Sequence, residues 1–154
     1  MSEAILCRKI LSISAKWYWC DPGIVRAMKR SSGPLTPEER GPLFEGLVAQ
    51  ILRAYRDYSS PFEDFYYWAT GANSSTEVDF ILQRQDDFIS IEVKSGRTFA
   101  ESWCKGLRVL ADLKGLRRRI IVYPEGPELQ TSDGIEIFPL SKFSHLLATD
   151  SLWP

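Results

Sequence analysis

Two short stretches decide the fold that this sequence predicts: Glu77-Val-Asp-Phe-Ile-Leu82 and Asp87-Phe-Ile-Ser-Ile-Glu-Val-Lys94. In both, apolar and polar residues alternate, which is typical of β-strands with one buried face. In the first, Glu77 and Asp79 lie opposite the apolar residues Val78, Phe80 and Leu82. In the second, Ser90, Glu92 and Lys94 lie opposite Ile89, Ile91 and Val93. Since only residues 83–86 separate the strands, the sequence predicts a tight antiparallel hairpin.

The register of this hairpin would bring acidic side chains together. If the turn is centred between Gln85 and Asp86, Asp79 lies directly opposite Glu92, with Cβ atoms about 4.5–5.5 Å apart. A turn centred one residue earlier makes the pair diagonal, at about 7–8 Å, on the same face. Lys94 points to that face too. We therefore expect two carboxylates and one amine to converge.

Two facing carboxylates repel each other, so the pair needs a compensating charge. Mg²⁺, with Mn²⁺ as its substitute, fits because it prefers carboxylate and carbonyl oxygens. We expect Asp79, Glu92 and the main-chain carbonyl of Val93 as metal ligands, and Lys94 to orient or deprotonate a water. Glu45, on a preceding helix, would be an auxiliary acid acting through water. Metal-bound water has a lowered pKa, which suits phosphodiester hydrolysis.

A structural interpretation of the same residues stays open. An amphipathic hairpin with a solvated polar face and a plain Glu92–Lys94 ion pair would produce the same pattern.

The elements around the hairpin predict an α/β protein. Apolar residues at three- and four-residue spacing predict a helix from about Pro42 to Tyr58. Further elements follow from similar patterns: a strand at Phe65–Trp68, a helix from Thr98 to about Lys114, strands at Ile120–Tyr123 and Ile135–Phe138, and a terminal helix. This order predicts a mixed sheet of about four to five strands flanked by helices.

A chain of 154 residues fits a single domain. We divide it into an N-terminal extension (1–41), a core (42–123) and a C-terminal strand and helix (124–154). In the extension, Asp21 and Pro22 predict a short helix, and turn-forming residues 31–42 predict a linker.

Charge and composition exclude several classes of protein. A net charge of -1 argues against a polycation, although residues 94–119 are locally basic. There Arg97 and Lys105 are candidate phosphate contacts, whereas a solvated loop is the favoured interpretation of Arg117–Arg119. The aromatic clusters at residues 17–19 and 66–68 are interpreted as packing.

The single histidine, His145, excludes two-histidine metal sites, and there is neither a P-loop nor a dinucleotide fingerprint. The three cysteines (Cys7, Cys20 and Cys104) form no CxxC pair, which fits a reducing compartment. With no long apolar run and no signal-peptide layout, we expect a cytoplasmic protein without a membrane partner.

The candidate site resembles a known motif. Asp79, then Glu92-Val-Lys94, with Glu45 upstream, is similar to the PD-(D/E)XK motif of the restriction-endonuclease-like superfamily, although Val78 stands where that motif has proline. Five longer blocks resemble a domain of unknown function that follows the ATPase core in many predicted prokaryotic AAA ATPases: Lys16-Trp-Tyr-Trp-Cys-Asp-Pro-Gly-Ile-Val25, Gly41-Pro-Leu-Phe-Glu-Gly-Leu-Val48, Tyr66-Tyr-Trp68, Thr76-Glu-Val-Asp-Phe80 and Ile91-Glu-Val-Lys94.

The resemblance implies a three-layer core of α-β-β-β-α-β order over about residues 42–123, in a chain that contains no ATPase core. It implies a metal-dependent nuclease acting on DNA. The alternative is a catalytically inactive nuclease-fold module for DNA binding or docking, associated with an AAA ATPase; a shortened remnant of such an ATPase is a third interpretation. Cleavage of both DNA strands would suggest a dimer, which no residue specifies.

Overall fold

The computed structural model describes residues 16–70 and 76–154, so Cys7 and the rest of the first fifteen residues of the N-terminal extension lie outside the described residues. A six-stranded mixed sheet is flanked by four helices in this part of the chain. The strands are β1 (Asp64–Ala69), β2 (Glu77–Arg84), β3 (Asp87–Val93), β4 (Leu116–Tyr123), β5 (Leu129–Gln130) and β6 (Glu136–Pro139). The helices are α1 (Pro22–Met28), α2 (Pro37–Tyr58), α3 (Lys105–Val109) and α4 (Leu140–Ala148).

The strand order across the sheet is β1-β2-β3-β4-β6-β5. The first three strands are antiparallel neighbours, β4 lies parallel to β3 and β6, and β5 closes the edge antiparallel to β6. The predicted mixed sheet flanked by helices is confirmed. It has one strand more than the sequence predicted, because the two-residue β5 is too short to leave a periodic pattern.

The hairpin of β2 and β3 has the register that a turn centred between Gln85 and Asp86 predicts. Phe80 lies opposite Ile91, and Arg84 lies opposite Asp87. Gln85 has a φ of 56°, the left-handed conformation that tight hairpin turns require. The local pattern was sufficient here because the chain reverses with only two residues between the paired positions.

The predicted face of Val78 is wrong. Asp79 and Phe80 of β2 both lie opposite Tyr67 of β1, because the pairing shifts by one residue between Tyr66 and Trp68. Such a bulge interrupts strict alternation along a strand. Val78 consequently packs on one face of the sheet, whereas Phe80 packs on the other.

The two faces of the sheet carry separate apolar cores. One core lies beneath α2 and α4 and includes Val48, Leu52 and Phe143. The other lies beneath a 3-10 turn (Glu101–Cys104) and α3, and includes Cys104 and Leu107. Helices therefore cover both faces of the sheet. The start of β2 and the end of β3, which are neighbours in the antiparallel hairpin, lie between these two helical layers.

The helix α2 begins five residues before its predicted start at Pro42. Thr36 caps it, accepting a hydrogen bond from the Glu39 N–H, while the Glu39 side chain accepts one from the Thr36 N–H. Such a capping box stabilises a helix start, and Pro37 suits the first turn because that position needs no N–H donor. Part of the predicted linker is therefore helical, with Pro42 inside the helix.

The helix predicted over Thr98 to Lys114 is shorter, comprising the 3-10 turn and α3. Gly106 lies so close to β2 that a Cβ there would be 2.1 Å from the Glu77 carbonyl oxygen. The chain then turns back through Gly115, whose φ is 84°, to begin β4. Packing against β2 and the return to the sheet limit this helix, and neither leaves a signal in the periodicity. No helix in residues 16–70 and 76–154 is long and apolar enough to cross a membrane.

Candidate active site

Asp79 lies at the bulge of β2 and is only 4% exposed. One carboxylate oxygen, Oδ2, accepts a hydrogen bond from the Val93 N–H at 2.9 Å. The other, Oδ1, lies 2.8 Å from the Lys16 ammonium nitrogen. The bulge thus presents Asp79 both to the end of β3 and to the segment that precedes α1.

Lys16 joins Asp79 to Glu45 on α2. Its Nζ atom is 2.9 Å from Oε1 of Glu45 and lies over the Tyr67 ring, 4.4 Å from the centroid. The Tyr18 hydroxyl donates to the same Glu45 oxygen at 2.6 Å. Two side chains of the N-terminal segment are therefore tied to α2 through one carboxylate.

Glu92 lies near the end of β3 and is 5% exposed. Its Oε1 atom is 2.5 Å from the Lys94 ammonium nitrogen, as expected for two residues on the same face of a strand. Its other oxygen, Oε2, is buried and accepts no hydrogen bond from the residues that the structure describes. An unpartnered buried carboxylate oxygen is costly, and a catalytic role, a bound water or a bound ion can account for it.

We call Glu45, Asp79 and Glu92 the acidic cluster. Burial, followed by the charge of Asp79, raises the pKa of Glu92 to about 7. Burial and the charge of Glu45 raise the pKa of Asp79, against the opposing effect of Lys16. Perturbed carboxylates grouped in this way are typical of functional sites.

The two lysines of the site remain cations at neutral pH. Burial lowers the pKa of Lys94, but Glu92 outweighs it and the pKa lies above its ordinary value. The pKa of Lys16 is likewise raised, because Asp79 and Glu45 outweigh the effect of burial. Lys94 is therefore an ammonium group paired with Glu92 when no metal is bound.

The structure brings the predicted residues to one end of the hairpin. Asp79 and Glu92 are neighbours, but the bulge makes Lys16 and Glu45 the side-chain partners of Asp79. The alternative of a solvated polar face is wrong, because both carboxylates are buried, although its Glu92–Lys94 ion pair is present.

Sequence reasoning missed Lys16 and Tyr18. They fall in the block Lys16-Trp-Tyr-Trp19, whose aromatic residues were interpreted as packing. That interpretation is wrong for Trp17, which is 92% exposed, and for Trp19, at 53%. One signal in the sequence could have indicated them. The block that begins at Lys16 resembles the same domain of unknown function as the blocks that contain Asp79 and Glu92.

Predicted metal ligands can be compared directly with the structure. Within the described ranges, no group of three or more histidine, cysteine, aspartate or glutamate side chains has the arrangement of a metal site. Asp79 and Glu92 are two acidic side chains, and Val93 directs its N–H toward Asp79. Because N–H and C=O of one residue point to the same side of an extended strand, the Val93 carbonyl is directed toward β2 as well.

The predicted phosphate contacts lie at the margins of the site. Arg97 is 75% exposed at its side chain and pairs with Glu125 at 3.1 Å. It lines a cleft of about 710 Å³ between α1, the first half of α2 and the loops after β3 and β4, together with Arg26 and Arg40. Lys105 is exposed at the start of α3, beside Gly106 and hence near the start of β2.

Arg117–Arg119 form part of β4 and not a loop. Arg117 pairs with Asp87, Arg118 makes two hydrogen bonds of 2.7 Å to Glu136, and Arg119 pairs with Asp133. These arginines hold strands and loops together, and the predicted solvated loop is wrong.

Fold and site define an α/β protein with a mixed sheet and a buried acidic cluster at the end of one hairpin. The model of the family described as a domain of unknown function, DUF4143, matches residues 40–143, more than half of the chain. The chain belongs to this family. No curated protein and no solved structure matches the sequence.

Proposed function

We propose that the acidic cluster binds Mg²⁺ and that the protein hydrolyses phosphodiester bonds in DNA. The observation that carries this proposal is the burial of Asp79 and Glu92 as neighbours while one Glu92 oxygen has no described partner. Buried like charges are unfavourable unless a cation or a proton compensates them. A divalent ion would satisfy that oxygen and remove the repulsion.

The residues present fit such an ion. Asp79, Glu92 and the Val93 carbonyl would hold it, which agrees with the preference of Mg²⁺ for one or two carboxylates while keeping several waters. A third acidic ligand is therefore not required. When bound, Mg²⁺ lowers the pKa of a coordinated water and stabilises charge that develops on phosphate.

The remaining side chains then take distinct roles. Lys94, which pairs with Glu92, orients or deprotonates the attacking water. Glu45 supports the site from α2 through water. Arg97 and Lys105 contact the phosphates that flank the bond to be cleaved, adding the sequence-independent attraction typical of DNA-binding surfaces.

The fold supports the same proposal. From α2 to β4 the elements follow the order helix, three antiparallel strands, helix, parallel strand. This is the order that the resemblance to restriction-endonuclease-like proteins implies, and we propose that fold for the chain.

Nicking of supercoiled plasmid with Mg²⁺ or Mn²⁺ tests the proposal. Asp79→Asn and Lys94→Met should each lower the rate about a hundredfold or more, the scale on which removal of one catalytic group acts. Asp57→Asn, at an exposed carboxylate on α2, should leave the rate unchanged. Thermal melting would establish that each variant is folded.

Equal nicking by wild type, Asp79→Asn and Lys94→Met would identify a contaminating nuclease and contradict the proposal. Absence of nicking by folded wild-type protein, on both single- and double-stranded DNA, would contradict it as well.

A specific observation favours one alternative. Lys16 places a cation between Asp79 and Glu45, so part of the acidic cluster is neutralised without a metal. A module of this fold without catalysis would then serve in DNA binding or in docking to an AAA ATPase, with which this family is often associated. DNA binding or ATPase binding by wild type, unaffected by Asp79→Asn and without nicking, would favour this alternative.

A further inference from the structure

We propose that Lys16 is an internal counter-cation which a divalent metal displaces from Asp79, an inference that rests on the metal site proposed above. Lys16 would thus set the affinity of the acidic cluster for metal. The chemistry is competition between an ammonium group and a divalent cation for the same carboxylate oxygen.

Both oxygens of Asp79 are already engaged. Oδ2 accepts the Val93 N–H at 2.9 Å, and Oδ1 lies 2.8 Å from the Lys16 ammonium nitrogen. A metal ion that uses Asp79 must therefore share or replace one of these partners. The N–H belongs to the central strand β3 and is fixed by the sheet, whereas the lysine has four rotatable side-chain bonds.

The segment around Lys16 is anchored by other contacts. The Tyr18 hydroxyl donates to Glu45 at 2.6 Å, and its ring lies 5.8 Å from that of Phe80. The Trp19 carbonyl accepts a hydrogen bond from Gln50 on α2 at 2.8 Å. The segment can stay in place when Lys16 leaves Asp79, so displacement requires only a side-chain movement.

Electrostatics also favours competition over cooperation. An ammonium group next to a ligand oxygen repels a metal ion approaching that oxygen, and partial burial weakens screening by solvent. The Lys16 side chain is 24% exposed and that of Asp79 is 5% exposed. Removal of the Lys16 charge should therefore strengthen metal binding.

Mn²⁺ titration of the full chain tests this inference, with calorimetry or the electron paramagnetic resonance of free Mn²⁺ as the readout. Lys16→Met should tighten Mn²⁺ binding about tenfold, the scale on which neighbours of metal ligands alter affinity. Lys16→Arg, which keeps the charge, should not tighten it. Lys29→Met, at an exposed lysine directly after α1, is the matched control and should bind as wild type does.

Thermal unfolding supplies a readout that does not depend on activity. Without metal, Lys16→Met should melt at a lower temperature than wild type, because Asp79 and Glu45 lose their shared cation. Saturating Mn²⁺ should raise the melting temperature of Lys16→Met more than that of wild type, since tighter binding to the folded state stabilises it further.

The outcomes separate this inference from the proposed function. Equal Mn²⁺ affinity of wild type and Lys16→Met, or weaker binding by Lys16→Met, would overturn the role of Lys16 and leave the nuclease proposal standing. Binding by Lys16→Met but not by wild type would support Lys16 as a competitor and count against catalysis by wild type. Absence of binding in both would overturn both.

If Lys16→Met does not fold, nuclear magnetic resonance of wild type labelled with carbon-13 at the lysine Cε carries the test, with Lys16→Arg assigning the signal. Mg²⁺ should shift the Lys16 resonance and leave that of Lys29 unchanged. A Lys16 resonance that stays fixed while Mg²⁺ binds would overturn the inference.

Discussion

Two groups of charged side chains in this protein shift the pKa values of their carboxylates in opposite directions. In the acidic cluster, Asp79 and Glu92 are buried and the pKa of each is raised. The second group, which we call the arginine group, consists of Arg108, Arg119 and Asp133 at the outer side of α3. In it, Asp133 lies 3.0 Å from Arg108 and 3.6 Å from Arg119. Its hydrogen bond from Arg108 holds the pKa of Asp133 well below its ordinary value.

The difference indicates that Asp133 has a structural role, whereas the acidic cluster is a candidate binding site. Asp133 is exposed and has guanidinium partners, so its charge is satisfied and it fastens α3 to the loop before β6. Among the residues that the structure describes, the acidic cluster has three carboxylates and two nearby cations, Lys16 and Lys94, and one Glu92 oxygen has no partner. Only the acidic cluster gains from an added cation, which is why the proposed function is assigned to it.

The largest effect on the free energy of unfolding is expected where α3, which carries Arg108, packs against β2, which carries Asp79. Helix α3 carries Arg108 and, through Gly106, contacts the start of β2. Gly106→Ala would place a Cβ 2.1 Å from the Glu77 carbonyl oxygen. It should lower the free energy of unfolding by about 3 kcal/mol, the upper end of the range for overpacked cores, measured by urea denaturation.

Gly33→Ala is the matched control, because nothing lies within 4 Å of the position that a Cβ would take there. Similar stability of the two variants would show that α3 is not held against β2 in this way.

The second largest effect is expected on the pH dependence of stability, which distinguishes the raised pKa values of the acidic cluster from the lowered pKa of Asp133. Because the pKa of Glu92 is raised from 4.5 to about 7 on folding, the folded state binds more protons than the unfolded state between those values. The free energy of unfolding should therefore decrease as pH rises from about 4.5 to about 7, by about 3 kcal/mol, and then level off. Glu92→Gln should remove most of this decrease and leave the part that comes from the raised pKa of Asp79.

Glu128→Gln provides the control at an exposed glutamate that also pairs with a lysine, Lys142 at 3.2 Å. It should leave the profile of wild type unchanged. A profile in which stability rises with pH over this window would contradict the assignment of a raised pKa to Glu92.

The smallest effect is expected at the arginine-paired carboxylate. A lowered pKa means that Asp133 contributes stability above its unfolded value near 3.8 and loses it as pH falls further. Asp133→Asn should change the acid limb of unfolding below about pH 4 and barely change the melting temperature at neutral pH, because the ion pair is exposed and screened. A neutral-pH loss as large as that of Gly106→Ala would show that the arginine group is a structural core.

The hairpin shows how far local sequence information reaches. Its register and the neighbouring positions of Asp79, Glu92 and Lys94 were predicted, because alternation and a two-residue turn fix pairing over short distances. The same reasoning failed at Val78. The bulge arises where β2 pairs with β1, and the alternation within β2 and β3 contains no information about that pairing.

Helix boundaries show a different limit. The capping residues Thr36 and Glu39 were visible in the sequence, but the turn formers around them concealed the start of α2. The length of α3 was not encoded in periodicity at all, since it follows from the approach of Gly106 to Glu77 and from the turn at Gly115.

The sequence by itself determined the hairpin, the mixed α/β arrangement and the placement of Asp79, Glu92 and Lys94 at one end of the hairpin, because periods of two and near four are properties of neighbouring residues. Only the tertiary structure decided that the carboxylates are buried and that Lys16 joins Asp79 to Glu45. Those features come from segments 29 and 63 residues apart in the chain, and no local pattern specifies which distant cation enters a site.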